Sequence, residues 1–156
     1  MQRECYRFGG VTFAIEADAP IERSAMCAPF HAADGAPEHT IRLHFDDRLP
    51  VPPETAQHRG AVWRWQSGAE RHLLEQYGTP DKPPRFTYAV TRGAHTEVTF
   101  ANAYRAGASV RAVLEAAGLF DIFAARGMLV LHSAYIVTRA GEAILFSGPS
   151  GVGKST

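Results

Sequence analysis

This sequence is short of cysteine and carries no surplus charge of either sign. Its two cysteines, Cys5 and Cys27, lie far apart and form no C-x-x-C pair. That pattern fits free thiols in a cytoplasmic protein. Sixteen basic and sixteen acidic residues cancel to a net charge of zero. No global field therefore draws the chain to nucleic acid or to an anionic membrane, and neither is expected as a partner. No apolar run approaches the ~18 residues that would span a bilayer. The opening MQRECYRFGG has no apolar core of a secretory signal. The histidines at 31, 39, 44, 58, 72 and 95 show neither H-x-x-x-H nor H-x-H spacing, so no metal site is expected from them. No G-x-S-x-G elbow supports a hydrolase. Repeats and low-complexity tracts are absent from the 156 residues.

What is present is a large apolar fraction, 46%, enough for a packed core. The first hundred residues read mainly as strands. VTFAIEA alternates Val11, Phe13 and Ile15 with Thr12, Ala14 and Glu16, and TIRLHF alternates Ile41, Leu43 and Phe45 with Arg42 and His44. AVWRWQS sets Trp63 and Trp65 on one face with Arg64 opposite, and RFTYAVT does the same with Phe86, Tyr88 and Val90. Period-two alternation predicts one buried and one wet face, as in an antiparallel sheet. The short TRGAH between RFTYAVT and TEVTFANAY predicts a hairpin. RLPVPPE and GTPDKPPR are loops, because proline cannot donate to a central ladder. Residues 17–40 show no usable period.

The texture changes at Ser109. Val110, Val113, Leu114 and Ala117 form a helical stripe, with Ser109 as N-cap, Gly127 just past the C-terminal end, and Gly118 as a break between two helices. Two apolar runs follow, LVLHSAYIVT and AILFSG, joined by the turn RAGE. The fold class read from this is α/β (α+β). A β-rich antiparallel domain occupies 1–108, and 109–156 holds a helical connector and the start of a nucleotide-binding core.

That core is signalled by ILFSGPSGVGKST. Gly148, Pro149, Ser150, Gly151, Val152, Gly153, Lys154 and Ser155 satisfy G-x-x-x-x-G-K-[ST], and Thr156 follows. Glycines let several backbone N–H groups converge on one phosphate, and the start of a helix adds positive partial charge. Lys154 reaches the β and γ phosphates, and Ser155 offers its hydroxyl to Mg²⁺. AILF before the loop is the short apolar run of a buried parallel strand. The implied cofactors are ATP and Mg²⁺.

From about Leu129 the chain resembles the HPr kinase/phosphorylase family, on the residues LHSAYIVTRAGEAILFSGPSGVGKST. The resemblance implies a P-loop core related to that of phosphoenolpyruvate carboxykinase. It also implies ATP-dependent phosphorylation of a serine, so the partners are a nucleotide and a protein or peptide substrate. By motif position it implies His132 as the catalytic histidine near the transferred phosphoryl group. The parts that family carries after its loop are absent here, so the chain is expected to be a fragment, truncated just after the loop and inactive alone. A loop with no following helix to orient its N–H groups predicts a frayed end after about Ser147. RAGEAILFSGPSGVGKST also resembles the loop of ABC-type transport ATPases, with Gly141-Glu142 before the strand. The third reading is a non-catalytic β-rich binding module with a vestigial loop. Two further features have ordinary readings. Trp63 and Trp65 read as sheet packing, and Asp46 and Asp47 as a solvated strand end.

Overall fold

The computed structural model describes residues 2–32, 36–77, 85–130 and 133–147. The chain divides into two compact units, Met1–Leu119 and Phe120–Thr156. The first is built on a nine-stranded sheet. Its strands are β1 (Gln2–Phe8), β2 (Val11–Ala17), β3 (His31–Ala32), β4 (His39–Phe45), β5 (Gln57–Arg59), β6 (Val62–Ser67), β7 (Glu70–Tyr77), β8 (Arg85–Arg92) and β9 (His95–Phe100). They lie in the order β3-β1-β2-β4-β9-β8-β7-β6-β5.

Strands β5 to β9 form a meander of antiparallel neighbours, and β1 pairs antiparallel with both β2 and β3. The two halves meet through β4, which runs parallel to β2 on one side and to β9 on the other. The sheet is therefore mixed and not antiparallel throughout, as alternation had suggested. Alternation reports which side chains face a core. It carries no information about the direction of the neighbouring strand.

The expected hairpin at residues 91–95 is present, with Arg92 opposite His95. Its two-residue loop is Gly93-Ala94, and Gly93 has φ +55°. A left-handed first loop residue is what a tight hairpin needs to match the strand twist, and glycine takes it without a steric penalty. Gly60-Ala61 and Gly68-Ala69 close two more hairpins in the same way.

Burial is two-sided in the middle of the sheet. Phe13, Ile15, Ile41, Leu43 and Val98 are at most 1% exposed, as the alternation predicts. Ala14 and Glu16, assigned to a wet face, are also buried. Ala14 is small enough to be covered by its neighbours, and the Glu16 carboxylate accepts a hydrogen bond from Arg42 Nη2 at 3.0 Å. Residues 17–40, which showed no period, include, among the described residues between β2 and β4, a 3₁₀ turn at Ala28–Phe30, the two-residue β3 and an isolated bridge from Glu22 to Ser109. Both cysteines are free and buried.

Helix α1 (Val110–Ala116) starts where Ser109 predicts, with the Ser109 hydroxyl accepting the Ala112 N–H at 3.2 Å. Val110, Val113, Leu114 and Ala117 are all buried. The helix entry is latched to the loop after β2: Glu22 N–H donates to the Ala108 carbonyl and Val110 N–H to the Glu22 carbonyl, each at 2.9 Å. Gly118, at φ +69°, ends α1 as expected, and helix α2 (Leu119–Ala124) follows. Past α2, Gly127 N–H donates to the Ala124 carbonyl and Met128 N–H to the Phe123 carbonyl. Those two bonds form a Schellman stop at the predicted glycine. Among the described residues no helix is long and apolar enough to cross a membrane.

Candidate functional site

The residues that precede the predicted nucleotide loop in sequence form a hairpin in the second unit. Strand β10 (Ser133–Val137) and strand β11 (Ala143–Ser147) pair antiparallel from Val137–Ala143 to Ser133–Ser147. The turn between them is closed by Thr138 N–H to the Glu142 carbonyl and Gly141 N–H to the Thr138 carbonyl, both at 2.9 Å. The Thr138 hydroxyl also accepts the Glu142 N–H at 3.2 Å. Gly141 has φ +83°, so the turn falls where RAGE places it.

The strand expected to be parallel and buried is antiparallel to its one partner among the described residues. Ile144 and Leu145 are 46% and 54% exposed. Among the described residues this sheet has two strands, and an apolar run does not by itself bury a strand. His132 and Gly148, Pro149, Ser150, Gly151, Val152, Gly153, Lys154, Ser155 and Thr156 lie outside the described residues. The last rung of the hairpin, Ser133–Ser147, consists of the sequence neighbours of His132 and Gly148.

The first unit carries a cleft of about 560 Å³ on one face of the sheet. His44 on β4, Tyr88 on β8 and Thr99 on β9 form its floor, and the loop residues Asp46, Leu49 and Pro50 form its wall. His44 Nε2 is 2.6 Å from Glu97 Oε2. Beside the cleft is an aromatic group. Trp65 stacks flat on His72, with centroids 4.7 Å apart and planes 3° from parallel. His72 Nδ1 is 2.8 Å from the Tyr88 hydroxyl. Burial pushes the His72 pKa down, as does nearby Arg92, against an upward pull from Glu70. Burial also pushes the Tyr88 phenol up.

Trp63 and Trp65 pack with Leu49, Tyr88 and Tyr104 against the buried Leu74, Phe86 and Ala101, as sheet packing requires. Trp63 also stacks on His58 at 4.3 Å. Asp46 and Asp47 do not act together. Asp46 accepts the Arg48 N–H at 3.0 Å, whereas Asp47 accepts both the backbone N–H and the side-chain amide of Asn102, at 2.8 and 3.0 Å. The Asn102 side-chain and backbone bonds hold the Asp47 carboxyl below its usual range. Asp47 thus anchors the 3₁₀ turn Asn102–Gly107 and is more than a solvated strand end. Among the described residues no group of three His, Cys, Asp or Glu side chains could hold a metal ion.

Sequence reasoning weighed His72 only as a metal ligand and passed over Glu97 and Glu70, because three separate strands and a loop bring the cleft together and no linear spacing marks it. Compared with protein families, curated proteins and solved structures, the chain matches none.

Proposed function

We propose that this chain binds the phosphates of ATP, with Mg²⁺, through residues 148–156, in the manner of an HPr kinase-like protein serine kinase. The observation that supports the reading is the hairpin. A strand, a tight turn and a second strand lead directly into G-x-x-x-x-G-K-[ST], and the terminal rung Ser133–Ser147 adjoins both His132 and Gly148 in sequence. In this reading the backbone N–H groups of the loop hold the phosphates, Lys154 neutralises their charge, and Ser155 takes the metal. His132 is the residue assigned to the transferred phosphoryl group, and the acceptor is a serine of a protein or peptide. Mg²⁺ held there would supply neutralisation of phosphate charge.

Calorimetric titration of the full chain with Mg-ATP tests the binding. Saturable binding is expected, weakened at least about tenfold in Lys154→Ala, since a lost charge-assisted contact is worth about 1.5–3 kcal/mol. Binding that survives Lys154→Ala unchanged would refute the loop's role and favour the β-rich binding module.

A further inference from the structure

The aromatic group beside the cleft contains an anomaly. The His72 side chain is 9% exposed. Its Nδ1 is matched with the Tyr88 hydroxyl at 2.8 Å, but its Nε2 is buried with no hydrogen-bond partner. Buried polar atoms are paired in the great majority of cases, so an orphan calls for a reason. The nearest charged atom is Glu70 Oε2, at 3.5 Å, within ion-pair distance but outside hydrogen-bonding geometry. The other oxygen of that carboxylate, Oε1, already accepts from Arg92 Nε at 2.6 Å. The groups that titrate around the ring are therefore Glu70 on its own strand and Tyr88 and Arg92 on β8, while β6 contributes only the flat face of Trp65.

We propose that His72, Tyr88 and Glu70 form a proton-operated switch that sets the hydrogen-bond polarity of the cleft. In the neutral ring one nitrogen carries a proton and the other accepts. Glu70 is an acceptor only, so the proton belongs on Nε2, facing the carboxylate, and Nδ1 accepts the Tyr88 O–H. When solvent supplies a second proton, Nδ1 becomes N–H and must donate. The Tyr88 oxygen then accepts, and its own proton must turn away from His72. Tyr88 lines the cleft, so the turned hydroxyl is a donor available to a carbonyl or carboxylate bound there. The Nε2–H of the imidazolium gains a charge-assisted bond to Glu70 by a small movement, and the cation rests on the Trp65 face, which favours it. The switch is independent of whether the loop at 148–156 binds nucleotide.

Nuclear magnetic resonance on the labelled full chain, from about pH 5 to 8, tests this around the ordinary histidine value of ~6.5. The ring nitrogens of His72 should show the Nε2–H form at the alkaline end and titrate below the ordinary value. The Tyr88 Cζ resonance should move with the same midpoint. Glu70→Gln should lower that midpoint further, because it removes the carboxylate that favours the charged ring. Tyr88→Phe keeps the aromatic contact and should change the His72 Nδ1 shift while leaving the stack with Trp65 intact. A Tyr88 resonance indifferent to the His72 titration would overturn the proposal. So would a ring that remains neutral until the chain unfolds, or a neutral ring with its proton on Nδ1.

Discussion

At the scale of single residues, the buried Glu4 and His39 have partners already in place. Glu4 is 4% exposed. Burial pushes its pKa up, but hydrogen bonds from Tyr6, Arg23 and Gln2 outweigh this and leave it lowered. His39, 1% exposed, lies 2.8 Å from the Thr96 hydroxyl, which lies 3.0 Å from that of Thr91. His72 differs, because half of its ring is unmatched. Its folded pKa is lowered, so the unfolded chain takes up the proton first as pH falls. Its contribution is then fully present above the unfolded value of about 6.5 and is lost as pH falls through the lower folded value. Urea unfolding at about pH 7 and at about pH 5 should show stability falling with acid, with a smaller fall in His72→Phe. An equal fall in both proteins would count against that assignment.

At the scale of elements, the helices were the most legible part of the chain. Ser109, the stripe through Ala117, Gly118 and Gly127 are local signals, satisfied by bonds within a few residues. The strands were less so. β7 went unmarked because Leu73 and Leu74 are adjacent and both buried, which breaks the period of two. β1 was missed for a similar reason: Glu4, Cys5 and Tyr6 are consecutive and all buried. Local signals also make testable units. Ser109→Ala removes an N-cap acceptor and should cost about 1 kcal/mol. Gly127→Ala forces a side chain into φ +69° and should cost a similar ~1–2 kcal/mol. Denaturant midpoints of the two variants check both values, and a neutral Gly127→Ala would mean that the stop tolerates a Cβ.

At the scale of the whole molecule, β4 joins a hairpin-based N-terminal half to the β5–β9 meander by two parallel pairings. Its apolar residues Ile41 and Leu43 are at most 1% exposed. Both halves depend on this strand, so Leu43→Ala should destabilise the first unit by about 2–5 kcal/mol, as large-to-small changes in a packed core do. The loss should appear in one cooperative transition, read by thermal unfolding followed through Trp63 and Trp65. A tryptophan signal that melts unchanged while the rest of the sheet is lost would mean that the meander folds independently of β4.

The sequence by itself determined where the alternating strands, the helices and the turns at 91–95 and 139–142 lie, because alternation, caps and left-handed glycines act between near neighbours. It also carries the pattern G-x-x-x-x-G-K-[ST] at residues 148–155, legible because its fixed positions lie close together in the chain. Tertiary structure alone decided that β4 lies between two parallel partners. It also decided that β10 and β11 pair antiparallel, that Asp46 and Asp47 serve different partners, and that His72 meets Tyr88 beside a cleft. The β4 pairings and the Asp47–Asn102 bonds depend on which distant segment becomes a neighbour. That choice is made by packing across the sheet, over separations at which no local residue pattern acts.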